Sequence, residues 1–365
     1  MLHRTIRLAA AALLAAASVG AARAADTSPL GTSPFDTSPL GTAPFAAPAA
    51  HHDAPLVGDV FYPAGPGGTP ARIAENAVFV GLDARVGAAP AEGTHPVVLL
   101  SHGMGGHVRS LAWLAAGLAA RGAIVVGVNH PGSTFGDFDH ARALDHWTRA
   151  QDLSAALDAL LADPTFGPRV DLGRVYAAGF SFGGFTALSI GGLRGDLAAY
   201  VAFCDGAAPD VAHCRELRAA GIDLSAREAD LWDASYRDPR VVGVAAIDPG
   251  LHAGLGPAHA ADLVETVVLI GLGAAGDRLI ATDFTPEGSG FATAVPQADV
   301  VMLAPADHFT ALPVCKPEGP ALLAEEGDDP VCTDPPGTDR AAVHAAIVAA
   351  IADGFGLPPA RAAMP

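Results

Sequence analysis

Residues 174–184 read RVYAAGFSFGG: a short β-type run, Arg174 to Phe180, breaks at Ser181 between Gly179 and Gly183, and a helix-type run follows. A serine at a strand-to-helix junction can form a nucleophile elbow, where the backbone turns so sharply that only residues without a side chain fit beside it. The hydroxyl is then held at the tip of the turn, beyond the end of the strand. This stretch carries an expectation of both fold and chemistry: an α/β arrangement and a serine nucleophile.

Working outward, short β-type runs alternate with longer helical ones from Pro96 onward. Val97 to Ser101 predicts a buried strand, and residues 108–121 place Leu111, Leu114 and Leu118 at helical spacing. Ala123 to Val128 predicts the next strand, and Ala150 to Ala162 repeats the helical pattern through Leu153, Leu157 and Leu160. After the elbow, Gly183 to Ile190 predicts a helix, followed by strands at Val241 to Ile247, Val267 to Leu272 and Val300 to Leu303, and a last helix from Arg340 to Phe355. Such alternation predicts a mostly parallel sheet with helices on both faces, whose binding crevice lies beyond the carboxyl ends of the strands. Ser181 falls at such an end.

A serine hydroxyl needs a neighbouring base, itself oriented by a carboxylate, and in a sheet of this kind the chain order is serine, acid, histidine. Of the five histidines after Ser181, His308 follows the last predicted strand in a loop able to lean over the sheet edge. His344 lies in a helical pattern, and His213 falls between two cysteines. Two aspartates compete as the acid. Asp248 ends a strand directly and is followed by Pro249 and Gly250, whereas Asp277 trails the flexible segment Gly273 to Gly276. A carboxylate that must hold one imidazole tautomer belongs on the rigid element, so Asp248 is preferred and Asp277 is the alternative. Donors for a developing oxyanion would be the backbone N–H of Phe182, just after the nucleophile, and that of Met104, in the glycine-rich loop Ser101 to Gly106. His102, in the same loop, is expected to brace it rather than act as a second base.

The ends of the chain carry different signals. Residues 1–24 resemble an export leader, with Arg4 and Arg7, an apolar run from Leu8 to about Gly20, and small residues around Ala24. The expectation is an exported protein, periplasmic or secreted, with no stable membrane insertion once the leader is removed. Residues 25–50 contain two copies of a ten-residue repeat, DTSPLGTSPF and DTSPLGTAPF, and predict a Pro-rich flexible linker. Residues 51–365 are expected to form one domain, with 193–240 as a possible lid insertion.

The formal charge of −18 becomes more negative when Arg4, Arg7 and Arg23 depart with the leader, and Lys316 is the one lysine. That balance excludes nucleic acid as a partner, since phosphate binding needs clustered Lys and Arg. Four cysteines in an exported chain suggest two disulfides between sequence neighbours, Cys204 with Cys214 and Cys315 with Cys332, though three pairings are possible. A zinc site at the cysteines is the competing reading, without Cys-x-x-Cys spacing to support it.

With these residues in hand, the chain resembles the α/β-hydrolases, and among them the platelet-activating-factor acetylhydrolase and dienelactone-hydrolase-like group. The likeness is carried by LSHGMG at 100–105, GFSFGG at 179–184 and AIDPG at 246–250, and spans roughly Val57 to Phe355. It implies cofactor-free ester hydrolysis with Ser181 as nucleophile, His308 as base, Asp248 as acid, and Met104 and Phe182 as oxyanion donors. The chain departs from dienelactone hydrolase proper, whose nucleophile is cysteine, and from dehalogenases of the fold, which use aspartate. The expected partner is a small or lipid-like ester with a short or apolar acyl group, which Phe180, Phe182 and Phe185 would favour if they face the crevice rather than the core. An inactive binding protein on the same scaffold and an amide or peptide hydrolase are the alternatives.

Overall fold

The computed structural model describes residues 40–206 and 211–360; the expected leader and the first copy of the repeat lie outside the described residues. Ten strands form one sheet. In its first part β1 (Leu40–Ala47) runs antiparallel to β2 (Leu56–Pro63), and β3 (Thr69–Ile73) antiparallel to β4 (Leu82–Val86), which touches β1 in parallel at two residues. The second part begins with β5 (His95–Ser101) and β6 (Ile124–Val128). A separate small hairpin follows, β7 (Ser133–Thr134) with β8 (Asp137–Phe138). The sheet then continues through β9 (Val170–Phe180), β10 (Val241–Ile247), β11 (Thr266–Leu272) and β12 (Asp299–Leu303). Strand order is β12-β11-β10-β9-β5-β6-β2-β1-β4-β3, parallel from β12 to β6.

The helices are α1 (Ala112–Ala119), α2 (His140–Ala143), α3 (His146–Ala162), α4 (Phe182–Ile190), α5 (Leu197–Gly206), α6 (Ala212–Ala219), α7 (Ala229–Trp232), α8 (Phe291–Ala294), α9 (Gly319–Glu326) and α10 (Arg340–Gly354). Helices α3 and α4 cover one face of the sheet, α1 and α10 the other. The period of two along a strand divides the core accordingly: Val97 and Leu99 of β5 join Leu153, Leu157 and Leu188, while Val98 and Leu100 join Leu114, Leu118 and Ile351. Each predicted element from Val97 onward is present, with ends shifted by a few residues.

The linker expectation fails at its C-terminal end. Residues 40–47, the second half of the second repeat copy and the two alanines after it, are β1, inside the sheet between β2 and β4. Two things reconcile this with the composition. Leu40 and Phe45 bury their side chains on opposite faces, each worth about 2 kcal/mol. Pro44 faces Asp59 and Pro63 faces Leu40, four residues apart in one antiparallel register. Both prolines therefore belong to the same class of pair, and the non-hydrogen-bonded class asks no N–H of either.

Both disulfides join the expected neighbours, with Cα–Cα separations of 5.4 Å for Cys204–Cys214 and 5.8 Å for Cys315–Cys332. The cysteines are thereby spent on cross-links, each worth about 3 kcal/mol in the chain-entropy description. The stretch 193–240, the possible lid insertion, carries α5, α6 and α7, and it is rooted in the core. His146 meets Trp232 at 4.8 Å and Phe185 at 5.1 Å between ring centres, and Tyr200 stacks on Trp232. No helix among the described residues is long and apolar enough to cross a membrane.

Four buried histidines make this core acid-sensitive. Burial pulls His130, His252 and His344 down to about 4 and His146 to about 3. Each is neutral when folded and titrates near 6.5 when unfolded, so the stability is complete above pH 6.5 and is lost as pH falls towards 4, at up to about 1.4 kcal/mol per pH unit for each group. The thermal midpoint followed by circular dichroism is expected to drop steadily from pH 7 to 6 to 5. A midpoint unchanged over that range would contradict the burial of neutral imidazoles.

Candidate active site

Ser181 sits between β9 and α4 with φ 56° and ψ −122°, a left-handed conformation that an L-residue holds only under strain. The flanking glycines explain how the chain closes there. A Cβ on Gly179 would lie 2.1 Å from the Gly183 carbonyl oxygen, and one on Gly183 would lie 2.1 Å from the Ser101 carbonyl oxygen. Neither position can carry a side chain without breaking the contact between β9, α4 and the end of β5. Hydrogen bonds fix the turn on both sides: the Ser181 N–H donates to Ile247 O at 2.8 Å, and the Gly250 N–H donates to Ser181 O at 3.2 Å.

The residues expected to act together meet. His308, at the start of a 3-10 turn after β12, places Nε2 3.0 Å from Ser181 Oγ and Nδ1 2.6 Å from Asp248 Oδ2. A carboxylate can only accept, so Nδ1 carries the proton and Nε2 is free to accept from the serine hydroxyl. Asp248, 2 % exposed, is held on all sides: Oδ1 accepts the Leu272 N–H at 3.0 Å, and Oδ2 also accepts the Thr282 hydroxyl at 2.8 Å. Asp277 stands exposed in the turn after β11 and is not a partner of His308. The remaining histidines after Ser181 are committed elsewhere. His344 stacks on Trp113 and donates to Thr310 O, His252 pairs with Ser289, His259 with Asp196, and His213 lies beside Tyr200.

The loop after β5 lies against the elbow, since a Cβ on Gly103 would touch Ser181 Cβ at 3.4 Å. Among the described residues, neither the Met104 nor the Phe182 N–H meets a protein acceptor; Phe182 is the first residue of α4, where such N–H groups are normally free. His102 braces the loop as expected: it is buried, Nδ1 donates to Gly103 O at 2.7 Å, and Nε2 accepts the His130 N–H at 3.2 Å. Burial and the nearby Arg149 charge hold His102 well below the usual histidine range, so it is neutral.

Beneath this loop lies a polar cluster that the sequence reading missed. Arg149 on α3, 1 % exposed, donates to the His102 carbonyl, to Ser101 Oγ at 3.2 Å, to Ser133 Oγ at 2.7 Å and to Thr186 Oγ1 at 3.1 Å. Its guanidinium also lies 4.9 Å from the Phe182 ring centre. Burial pulls its pKa down to about 9, against the pull of Asp152, so it remains charged at neutral pH. Asp152 Oδ2 accepts His130 Nδ1–H at 2.8 Å, and His130 Nε2 accepts the Ser101 hydroxyl at 2.9 Å. Ser101, His130 and Asp152 thus repeat the order of a catalytic set. Complete burial and the Arg149 donor on Ser101 Oγ deny them any substrate. A signal was available: Arg149 lies four residues before Leu153 on the apolar stripe of α3, with Asp152 beside that stripe, where charges need a buried partner.

Phe180, Phe182 and Phe185 are all buried, Phe180 on one side of the sheet and the other two on the opposite side. They fill the core behind the elbow, and Phe180 also supports the His308 ring at 4.6 Å.

The sequence profile of the serine aminopeptidase family, S33, matches residues 92–268, which include Ser181 and Asp248. No curated protein is detectably similar in sequence. Among solved structures, a ferulic acid esterase from Streptomyces cinnamoneus superposes with a TM-score of 0.53 at 22% identity, covering 90% of this chain and 94% of its own. A dienelactone hydrolase-like promiscuous phosphotriesterase from metagenomic libraries superposes at 0.47 with 18% identity, covering 86% and 98%.

Proposed function

We propose that this chain, which has the α/β-hydrolase fold, is an exported serine esterase. Ser181 attacks the carbonyl carbon of a carboxylic ester while His308 Nε2 takes its proton. The same imidazole then protonates the departing alcohol, and water hydrolyses the acyl-enzyme in a second round of base and acid catalysis. Asp248 holds the His308 tautomer and stabilises the imidazolium, and the Met104 and Phe182 N–H groups receive the oxyanion. The observation that carries this reading is the continuous run from Asp248 through His308 to Ser181 at 2.6 and 3.0 Å.

A preference for apolar or short acyl groups belongs to the proposal. Its support is not the three phenylalanines of the elbow but the hairpin β7–β8, which hydrogen-bonds the oxyanion loop through Gly105 N–H to Ser133 O and Phe135 N–H to Gly106 O. That hairpin presents Phe135, 76 % exposed, and Phe138 beside the loop, an apolar surface suited to the non-reacting part of an ester. Export is supported by the leader-like sequence of residues 1–24 together with two disulfides. The helices of residues 193–240 enter the proposal as a cover for the crevice, because Ala199 packs on Gly254 in the loop that leaves Asp248.

A fluorophosphonate should label the oxidised protein at Ser181, and Ser181→Ala should abolish the label while keeping the thermal midpoint. No labelling of folded protein would favour a binding role on an inactive scaffold. Nitrophenyl esters of graded chain length then measure the acyl preference. The match to the serine aminopeptidase profile favours amide cleavage as a second reading, and faster turnover of an anilide than of its matched ester would select it.

A further inference from the structure

We propose that His51, His52 and Asp152 form a binding site for one divalent ion of the zinc class, separate from Ser181. The Nε2 atoms of His51 and His52 converge on a single oxygen, Asp152 Oδ1, at 2.7 and 2.8 Å, and the three atoms lie within 4.8 Å of one another. Two imidazoles and one carboxylate with an open side are a donor set that holds zinc in proteins, leaving its fourth position to water or a ligand. A tetrahedral ion with bonds of about 2.1 Å separates its ligands by roughly 3.4 Å, so each ring would back away by about half an ångström. The histidines can do so. They stand in the connection between β1 and β2 with side chains 24% and 11% exposed, bordering a cavity of about 850 Å³ that also meets His107, Asn129 and Thr134.

The third ligand is the fixed one. Asp152 is completely buried on α3, and its other oxygen accepts His130 Nδ1–H at 2.8 Å, leaving Oδ1 to face the histidines. An outer hydrogen bond of this kind orients a ligating carboxylate and raises the affinity of the site. Ion binding moves the proton of each neutral imidazole from Nε2 to Nδ1 by exchange with water, with no net charge change on the ring. Through His130 and Ser101 the ion is connected to the strand end that carries the proposed oxyanion loop.

The test is calorimetric titration of untagged, oxidised protein with zinc chloride and, separately, calcium chloride. One zinc per chain is expected, with a rise in thermal midpoint and no response to calcium, whose preference is for oxygen donors. The double variant His51→Gln, His52→Gln keeps an amide N–H for Asp152 but offers a poor zinc ligand. It should fold with an unchanged thermal midpoint without metal and lose at least tenfold in zinc affinity. Absence of zinc binding by the native protein would reduce the cluster to a hydrogen-bonded anchor for β1. Equal affinity in the double variant would place the ion elsewhere, and either result overturns the proposal.

Discussion

Replacing Asp248 with asparagine is expected to lower ester turnover by about four orders of magnitude while leaving the protein folded. Three donors converge on this carboxylate: the Leu272 N–H on Oδ1, and the Thr282 hydroxyl and His308 Nδ1–H on Oδ2. Asparagine offers one carbonyl in place of two acceptor oxygens. The Leu272 N–H belongs to the rigid end of β11, so the amide oxygen stays there and the NH₂ turns towards His308. Nδ1 must then accept, which moves the ring proton to Nε2, where it faces the Ser181 hydroxyl and cannot take its proton. Asp277→Asn, at an exposed turn, should leave turnover within about twofold, the range of ordinary surface changes. Steady-state kinetics on a nitrophenyl ester distinguish the two, and a large loss in Asp277→Asn with little in Asp248→Asn would transfer the role of acid.

Arg149→Met should cost stability and turnover together. The substitution keeps much of the aliphatic volume but removes the donors that satisfy the His102 carbonyl, Ser101, Ser133 and Thr186. Leaving a buried acceptor without its donor typically costs about 1 to 3 kcal/mol, so several left unmet at once should cost about 3 to 5 kcal/mol. At roughly 2 to 4 °C for each kcal/mol, the thermal midpoint should fall by about 10 °C. Turnover should fall by about a hundredfold, because the proposed oxyanion loop loses the donor on its His102 carbonyl and catalysis is sensitive to displacements near 1 Å. Arg149→Lys keeps the charge without the planar fork and should fall between the two. A methionine variant with native midpoint and native turnover would show that the loop is held by other contacts.

The two proposals differ in how they could have been found. Ser181, Asp248 and His308 were legible because each stands next to an element boundary that the pattern of apolar residues marks: a glycine-flanked serine after β9, an Asp-Pro-Gly after β10, a histidine after β12. The cluster of His51, His52, Asp152 and Arg149 was not read, since two of its members stand in a short connection and the two charges along the apolar stripe of α3 name no partner by themselves. β1 was hidden for a related reason: proline and glycine suppress the strand signal, and only its neighbours β2 and β4 show that the prolines fall where no N–H is needed.

By itself the sequence determined the alternation of strands and helices, the elbow and the order of its partners, because these depend on local periodicity and on residues too small to be replaced. Tertiary structure alone decided between the preferred Asp248 and its alternative Asp277, which serine, histidine and aspartate are sealed from substrate, and that part of a proline-rich repeat closes into a sheet. Those outcomes depend on burial and on which donors surround each oxygen, and both are set by parts of the chain that are not sequence neighbours, 60 residues apart for Asp248 and His308 and 48 for Arg149 and Ser101.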